Sequence, residues 1–400
     1  MRANRTVNRR LHAAFLCVLC ILLVVLALAA CTPTGRPTQQ TSTPAPAATA
    51  TSPAAATATP GAQAPTQTPT VAQATPTSIA ATEPPAGLIY RIPSGFWVAS
   101  AEGQGERVFE RTDAVISPDG TQALYWEANE VWLADPAKGE QLNLTQTKDL
   151  SEAHYQWWRG RPDLVVFTSL RLEGQEKPPR SEGYLAVVGV DGSGYRILDD
   201  RTLIGGPAGL PSPSPDGQAI AYGGGSTGML FRWETGPQVF DPGDYGLSDA
   251  EGELPIGNPS WAPDGQRLAW VVHRGSQFGI AVFNVLTQAA WMGHFYDPVG
   301  MDGFPPAAAW SPDGQRLALV AMAADPAEMG LWILGSDGQQ EERLLGRGSN
   351  PVWSPDGKWL AFAGAPDEGD WRIWLADTDT WELRSLSLPS DAYLAGWLQP

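Results

Sequence analysis

The chain has 400 residues and a formal net charge of −17, with 43 acidic against 26 basic side chains. A surface this acidic repels phosphate backbones, whose binding depends on lysine and arginine, so nucleic acid is excluded as a partner. The composition divides into an apolar start, a Thr/Pro/Ala-rich stretch and one tryptophan-rich body, and only the body has the side chains that a folded core requires.

Residues 1–30 have the pattern of a bacterial export signal. Four arginines precede an unbroken run of 18 apolar residues, Ala13 to Ala30, which ends in Leu28-Ala29-Ala30-Cys31. This ending resembles the lipobox of bacterial lipoproteins, in which the cysteine is lipidated and becomes the first residue of the mature protein. We therefore predict a signal peptide over residues 1–30 and lipidation of Cys31. The alternative is an uncleaved anchor, because 18 apolar residues just span a bilayer.

Cleavage at this position has two consequences. It leaves Cys31 as the single cysteine, so no intramolecular disulfide forms and the core alone must stabilise the body. It also removes four arginines and no acid, which changes the formal charge from −17 to −21. Anionic headgroups repel such a surface, so attachment to the membrane falls to the acyl chains. We predict an extracytoplasmic protein that is anchored to the membrane by its N-terminal lipid.

Residues 31–87 are predicted to carry the lipid and then form a linker. From residue 32 onward they are nearly all Thr, Pro, Ala, Gln, Ser and Gly, and Arg36 and Glu83 are the only charged residues. Such a tract lacks the apolar area that would offset its ordering entropy, so we expect it to remain disordered and extended. At about 3 Å per residue it reaches on the order of 150 Å, enough to hold the body clear of the bilayer.

A Ser-Pro-Asp-Gly turn recurs along the body, each time just before a short apolar strand. The intervals between its successive aspartates are 97, 48, 49 and 43 residues, so the first interval holds two periods and one degenerate copy. A period in the forties is typical of four-stranded propeller blades. Asp bonds the backbone that follows it and Gly accepts a positive φ, so we assign the aspartates a structural role in the turns. They are Asp119, Asp216, Asp264, Asp313 and Asp356.

Each repeat unit is predicted to contain four antiparallel strands, because β-branched and aromatic residues alternate along it. The degenerate unit begins at Tyr155–Trp158 and ends at Tyr195–Leu198. Six full units leave two fragments, Leu88–Val108 and Tyr393–Leu398, which together supply one more blade. Such a blade joins the chain ends and removes exposed sheet edges. We therefore predict an all-β, seven-bladed propeller over residues 88–400, with a six-bladed ring as the alternative.

The repeat resembles that of a known family. Trp353-Ser-Pro-Asp-Gly, followed by Leu360-Ala361 and the Ile-Trp-Leu-x-Asp strand at Ile373–Asp377, is similar to the repeat of the WD-repeat-like TolB propellers. The same repeat is found in the propeller domains of prolyl oligopeptidase-type peptidases. The resemblance covers residues 88–400 and implies the fold. In TolB the propeller is a periplasmic interaction platform. In the peptidases it gates a separate hydrolase domain, for which we expect no room in this sequence.

The sequence contains only weak matches to catalytic and metal-binding motifs. Gly224–Gly228 matches the G-x-S-x-G pattern, but it lies between two strands, where a hairpin is the ordinary structure. The histidines that remain after cleavage, His154, His273 and His294, fall in different units and lack the spacing of a zinc site. We therefore predict no catalytic residue, no cofactor and no metal. A Ca²⁺ site among the acids of Asp241–Glu253 is the alternative.

Loop lengths favour one face of the ring for binding. Long insertions are predicted at Thr168–Gly183, Asp199–Pro213, Asp241–Pro259 and His294–Pro306, and in an up-and-down blade these connections emerge on the same side. Recognition usually resides in loops on a rigid scaffold. The polar and aromatic side chains there are the candidate binding residues, namely His154, Tyr155, Arg180, Tyr245, His294, Phe295 and Tyr296.

The sequence thus predicts a non-catalytic binding module whose partner is a protein or a cell-envelope polymer. The alternative is a propeller hydrolase or lyase with a Ca²⁺-dependent central pocket. That alternative needs three or more carboxylates near the axis of the ring.

Overall fold

The computed structural model describes residues 72–73, 85–99, 105–147, 150–172, 181–200, 210–224, 227–247, 258–299, 308–338 and 343–399. The predicted signal peptide, Cys31 and nearly all of the predicted linker lie outside these residues. The described residues are mostly β-strand, with a short 3-10 helix at Pro242–Tyr245. Within the described ranges, no helix has the length and apolar character needed to cross a bilayer.

The strands of the described residues form seven sheets, each with four antiparallel strands. One sheet gains a fifth strand, because β1 pairs in parallel with β24. The strands are β1 (Ala72–Gln73), β2 (Leu88–Ile92), β3 (Gly95–Ala99), β4 (Gly105–Phe109), β5 (Ala114–Ile116), β6 (Ala123–Glu127), β7 (Glu130–Asp135), β8 (Glu140–Asn143), β9 (Leu150–Trp157), β10 (Leu164–Leu172), β11 (Ser181–Gly189), β12 (Arg196–Asp199), β13 (Ser212–Pro213), β14 (Ala219–Gly224), β15 (Thr227–Arg232), β16 (Gly236–Phe240), β17 (Ser260–Trp261), β18 (Arg267–Arg274), β19 (Gln277–Asn284), β20 (Ala289–Tyr296), β21 (Ala309–Trp310), β22 (Arg316–Ala321), β23 (Gly330–Gly335), β24 (Arg343–Leu344), β25 (Gly348–Trp353), β26 (Trp359–Gly364), β27 (Arg372–Asp377), β28 (Leu383–Ser385) and β29 (Tyr393–Trp397).

Each sheet is one blade of a seven-bladed β-propeller. Blade 1 has the order β29-β2-β3-β4, and blades 2 to 7 take the strands from β5 to β28 in consecutive groups of four. The first strands are the innermost ones and surround a central channel, and those of blades 4, 5, 6, 7 and 1 contact one another in this order. In blade 1 the C-terminal strand pairs with the N-terminal one, with Leu88 opposite Trp397 and Arg91 opposite Tyr393. The predicted closure by strands from both chain ends is therefore confirmed, and the six-bladed alternative is wrong.

The core lies between the blades rather than inside any one of them. All six residues of β23 are buried, because blade 6 is covered on one side by blade 5 and on the other by blade 7. This explains why the middle strands read as continuous apolar runs, such as Leu317–Ala321, instead of alternating with polar residues. Each boundary thus buries the apolar surfaces of two neighbouring blades. A single blade has no partner against which to bury these surfaces.

Tryptophans at the ends of the first strands join neighbouring blades. In each case the indole Nε1 donates a hydrogen bond to a carbonyl oxygen of the preceding blade's first strand. The pairs are Trp157 to Val115 (3.0 Å), Trp261 to Ser212 (2.9 Å), Trp310 to Ser260 (2.9 Å), Trp353 to Ala309 (3.0 Å) and Trp397 to Val352 (3.1 Å).

Two first strands end without this tryptophan. Blade 2 has Ile116 and blade 4 has Pro213 at the equivalent place. For blade 4 the preceding blade supplies the indole instead. Nε1 of Trp158 in blade 3 donates to the Ser214 carbonyl oxygen of blade 4 at 2.8 Å. At the boundary of blades 1 and 2, a main-chain bond from Gln399 N–H to the Pro118 carbonyl oxygen (2.8 Å) takes the place of the indole.

The five turn aspartates connect the first and second strands of their blades. Ser354 shows the chemistry of the turn, because its hydroxyl donates to Asp356 Oδ1 at 2.7 Å and accepts the Trp359 N–H at 2.9 Å. The hydrogen bond from Ser354 lowers the pKa of Asp356. In the copy where Ala262 replaces serine, Arg267 Nε donates to Asp264 Oδ2 at 2.7 Å instead. Oδ1 of each aspartate also accepts a backbone N–H two residues on, from Thr121, Gln218, Gln266, Gln315 and Lys358.

Replacement of the turn serine tests this reading of the repeat. Ser354→Ala removes the partner of both Asp356 and the Trp359 N–H, and we expect the free energy of unfolding to fall by about 1–2 kcal/mol. Ala262→Ser supplies the missing hydroxyl to an equivalent turn, so we expect no loss and a gain of up to about 1 kcal/mol. Urea unfolding followed by tryptophan fluorescence measures both, and equal losses in the two variants would contradict this account.

Candidate functional site

The two faces of the ring differ in the connections that they carry. We define the upper face as the one where connections between second and third strands, and links between blades, emerge. The lower face carries the turns with the five aspartates. Residues 173–180, 201–209, 248–257 and 300–307 of the predicted long loops, with Arg180, lie outside the described residues. The described part shows that two of these loops are shorter than predicted, because pairing of β10 with β11 extends to Leu172 and Ser181 and β20 extends to Tyr296.

His154 and Tyr155 lie on β9, the innermost strand of blade 3, and not in a loop of the upper face. His154 has a φ of 51° at a bulge, where the register between β9 and β10 shifts. Its Nδ1 lies 3.2 Å from Thr168 Oγ1. The Tyr155 hydroxyl donates to the Asp113 carbonyl oxygen of blade 2 at 3.1 Å, and burial raises the pKa of Tyr155. His154 therefore contacts the second strand of its own blade, and Tyr155 joins blade 3 to blade 2.

His294, Phe295 and Tyr296 lie on β20, the outermost strand of blade 5. His294 has a φ of 50° at a second bulge. The extra residue bends the strand but lets pairing continue, which is why the strand runs past its predicted end. The His294 ring centroid lies 4.3 Å from that of Trp332 in blade 6. Tyr296 is 2% exposed, and burial raises its pKa to about 12.

Tyr245 lies on the 3-10 helix that links blades 4 and 5. Its ring stacks on Phe240 at a centroid distance of 5.0 Å, and Asp241 caps the helix by accepting the Gly243 N–H at 2.8 Å. The described candidates thus occupy three places: the innermost strand of blade 3, the link between blades 4 and 5, and the outermost strand of blade 5. The structure does not bring them together into one site.

A cavity of about 560 Å³ lies beside the channel axis and is formed by blades 7, 1, 2 and 3. It lies where Ile116 of blade 2 takes the place of the tryptophan that five of the seven first strands have, and isoleucine is smaller than indole and fills less of this space. We call it the channel cavity. It is lined by Ile89, Arg91, Phe96, Ala114, Val115, Ile116, Ser117, Pro118, Gln156, Trp157, Arg159, Asn350, Val352, Tyr393, Leu394, Ala395, Gly396, Trp397 and Gln399.

The charged side chains in this lining are Arg91, near the upper face, and Arg159, near the lower face. Arg91 Nη1 donates to the Thr112 carbonyl oxygen at 2.7 Å, and its guanidinium lies 4.9 Å from the Tyr393 ring centroid. The Arg159 guanidinium has no hydrogen-bond or ion-pair partner among the described residues. The Arg159 side chain is exposed to solvent, although the protein around it removes enough water to lower its pKa.

Arg159 belongs to the degenerate copy of the turn. Aligned on the strand end, Trp157-Trp158-Arg159-Gly160 replaces Trp-Ser-Pro-Asp, so arginine takes the position of proline. Gly160 lies against the next turn, because a Cβ there would lie 2.2 Å from Gly217 N. A second cavity, of about 450 Å³, lies on the lower side and shares five lining residues with the channel cavity, namely Ser117, Pro118, Trp157, Arg159 and Gln399.

Glu130 and Glu152 form a buried acidic pair between blades 2 and 3. Glu152 is 1% exposed; its Oε1 accepts the Thr147 hydroxyl at 2.7 Å, and its Oε2 has no hydrogen-bond partner among the described residues. The same hydroxyl lies 3.3 Å from Glu130 Oε2, which also accepts the Thr145 hydroxyl. Burial, reinforced by the charge of Glu130, raises the pKa of Glu152 to about 7.

The remaining motifs have structural positions. Gly224 of β14 pairs with Thr227 of β15, so the G-x-S-x-G segment joins two strands of a hairpin. Of the predicted acidic loop, Asp241 and Asp244 lie in or beside the 3-10 helix, and its later acids fall outside the described residues. In the part of the chain that the structure describes, no three His, Cys, Asp or Glu side chains are grouped so as to hold a metal ion.

Neither Arg91, Arg159, Glu130 nor Glu152 was selected from the sequence. For Arg159 a signal was present, because it stands in the degenerate turn. Glu130 and Glu152 lie on strands of different blades, and only the ring brings them together.

Comparison with known proteins supports the fold. Residues 248–400 match the family model of the TolB beta propeller domain, which confirms the resemblance predicted from the turns. No curated protein sequence is significantly similar to the chain.

Solved structures with a similar fold include both enzymes and TolB. The oligogalacturonate lyase of Vibrio parahaemolyticus is 15% identical, with 72% of this chain and 84% of that chain covered and a TM-score of 0.55. A puromycin-hydrolyzing peptidase of Mycobacterium tuberculosis is 14% identical, with 76% and 54% covered and a TM-score of 0.50. A putative TolB from Agrobacterium tumefaciens is 14% identical, with 74% and 87% covered and a TM-score of 0.39. At these identities the likeness concerns the fold alone.

The buried acidic pair predicts a pH dependence of stability. Native Glu152 keeps its proton up to a pH of about 7, whereas in the unfolded chain its pKa returns to 4.5. The native state therefore binds more protons between these values, and its free energy of unfolding falls as pH rises, by up to about 3 kcal/mol. We expect the free energy of unfolding of Glu152→Gln to lack the decrease that the ionisation of Glu152 causes. Above pH 7 this variant is therefore expected to be more stable than the wild type.

Urea unfolding at a series of pH values measures this difference. Glu106→Gln is the matched control, because Glu106 is exposed on β4 and the change of charge is the same. Parallel pH profiles for wild type and Glu152→Gln would show that Glu152 is ionised in the native state.

Proposed function

We propose that this chain is a non-catalytic, extracytoplasmic binding module. A lipid on Cys31 anchors it to the membrane, and the propeller binds a protein or a cell-envelope polymer at the upper face, around the mouth of the channel cavity. The observation that carries this proposal is a set of exposed aromatic side chains on the upper face of three consecutive blades.

These side chains are Trp371 of blade 7, Tyr393 of blade 1 and Trp126 of blade 2, which are 53%, 61% and 43% exposed. Trp371 lies between β26 and β27, Tyr393 begins β29, and Trp126 lies one residue before the end of β6. All three positions are on the upper face by the order of the strands. Exposed tryptophan and tyrosine offer large rigid contact surfaces, and they are enriched at binding sites.

The channel cavity lies within the same arc of blades and supplies a concave surface beside these aromatics. Tyr393 belongs to both, because it is exposed on the upper face and also lines the cavity. The polar groups of the lining are guanidinium and amide groups and the Ser117 hydroxyl, which donates to Asp119 Oδ1 at 2.6 Å, with indole and phenol rings beside them. Guanidinium and amide groups bind ligands by hydrogen bonding, and they do not exchange protons near neutral pH as a general acid or base must.

The rest of the chain suits a module that is held outside the membrane. The predicted linker is long enough to let the ring reach a partner away from the bilayer. The acidic surface discourages contact with anionic headgroups, so the lipid is the attachment and the ring remains available for binding.

Replacement of the exposed tryptophans tests the binding face. We expect Trp126→Ala combined with Trp371→Ala to weaken saturable binding of the full chain to isolated cell envelopes of the producing bacterium by about tenfold or more, because aromatic anchors dominate such contacts. The matched control combines Leu286→Ala and Val239→Ala, which remove equally exposed apolar side chains from a lower-face turn and an outer strand. Equal binding by the two double variants would place the interface elsewhere.

The non-catalytic part of the proposal has its own test. Polygalacturonate is a suitable probe, because one of the structurally similar proteins is an oligogalacturonate lyase. We expect no increase in the ultraviolet absorbance of unsaturated uronate when the full chain is incubated with this polymer, with or without Ca²⁺ or Mn²⁺. Product formation in excess of the protein present would identify an enzyme and overturn this part of the proposal.

A further inference from the structure

The channel cavity concentrates positive charge in a chain whose formal net charge is −17. Its charged lining residues are Arg91 and Arg159. Arg91 already donates to a main-chain carbonyl oxygen, whereas the Arg159 guanidinium has no partner among the described residues. Arg159 is exposed to solvent and not engaged by the described protein groups, and a guanidinium in this state is the usual means of binding a carboxylate in a bidentate manner.

Two departures from the repeat place the Arg159 guanidinium beside the channel cavity. Arg159 stands where the five regular turns have proline, and Ile116 stands where five of the first strands have tryptophan. The first departure supplies the cation, and the second supplies the volume. Had blade 2 carried the indole, the space beside Arg159 would be smaller by the difference between the two side chains.

The remaining lining is suited to the body of a small organic ligand. Gln156, Asn350 and Gln399 contribute amide groups, and the rings of Trp157 and Trp397 contribute apolar surface. A volume of about 560 Å³ falls within the range of small-molecule sites. The cavity is large enough for a single sugar ring or a short peptide end, and its charge selects an anion.

We propose that the channel cavity binds an organic carboxylate, and that the Arg159 guanidinium pairs with the carboxylate group. This inference rests on the proposed function, because it gives a ligand class to the cavity beside the proposed binding face. The shared chemistry of an acidic sugar and a peptide C terminus is the carboxylate, so the test must distinguish these two sources.

The test uses two matched pairs of probes on the full chain. Glucuronate and glucose differ by a carboxylate against a hydroxymethyl group, and N-acetylphenylalanine and its amide differ by a carboxylate against a carboxamide. We expect calorimetry or ligand-observed NMR to give at least about a tenfold preference for the acid in one pair. The pair that shows it identifies the source. Absence of a preference in both pairs overturns the proposal.

Variants assign the preference to Arg159. We expect Arg159→Gln to bring the acid-to-neutral ratio near one, whereas Arg274→Gln leaves it unchanged. Arg274 is the matched control, because it is exposed on blade 5 and the change of charge is the same. Ile116→Trp, which leaves Arg159 in place but fills the space, is expected to weaken binding of both members of the pair. An undiminished preference in Arg159→Gln overturns the proposal.

Stability without ligand gives a second readout. Arg159 is exposed and has no partner among the described residues, so we expect Arg159→Gln to leave the urea midpoint of the ligand-free protein unchanged. A lower midpoint would make Arg159 a structural residue and would overturn the proposal. If the upper-face tryptophan variant loses envelope binding while no carboxylate is preferred, the proposed function holds and this inference fails.

Discussion

The ring depends on the hydrogen bonds by which an indole of one blade reaches the main chain of the blade before it. Three of the first strands are only two residues long: Ser212–Pro213, Ser260–Trp261 and Ala309–Trp310. Strands this short have little pairing of their own to fix their position beside the channel. A tryptophan at the strand end supplies both apolar area and a donor. Its N–H then satisfies a carbonyl oxygen of the neighbouring blade at 2.9–3.1 Å.

The places where this arrangement is broken explain the asymmetry of the ring. Blade 4 lacks the indole at Pro213, and Trp158 compensates from blade 3. Blade 2 lacks it at Ile116, and other contacts join it to blade 1. These include the bond from Gln399 N–H to the Pro118 carbonyl oxygen, the bond from Arg91 to the Thr112 carbonyl oxygen, and the Phe109 and Tyr125 rings with centroids 6.4 Å apart. The unfilled space at this second boundary is the channel cavity. The candidate site is therefore located where the copies of the repeat are irregular. The regular Ser-Pro-Asp-Gly turns stabilise the blades that contain them.

The fold was predictable because its signals are local and repeated. The proline, aspartate and glycine of each turn favour the same hairpin wherever they occur. The spacing of these turns along the chain therefore predicted the order of the strands and the blade that the two chain ends form together. The ends of β9 and β20 were not predictable from the spacing of the turns. His154 and His294 adopt a φ near 50° at bulges, and no residue type in the sequence indicates a bulge at these positions. The candidate site required the closed ring. Ile116 and Arg159 are visible in the sequence as departures from the repeat, but only closure brings β5, β9 and β29 around one cavity.

Charge outside and inside the cavity acts on an anionic ligand in opposite directions. Repulsion by the acidic surface acts over distance and is screened beyond about 8 Å at physiological ionic strength. A pair with Arg159 forms at contact, well inside this screening distance, so salt weakens it less than it weakens the distant repulsion. A ligand with one carboxylate at its end is therefore favoured over a polyanion, because each further charge left outside adds repulsion without a partner. A fully regular ring would offer proline in place of Arg159 and indole in place of Ile116, so this selectivity has its origin in the irregular copies of the repeat.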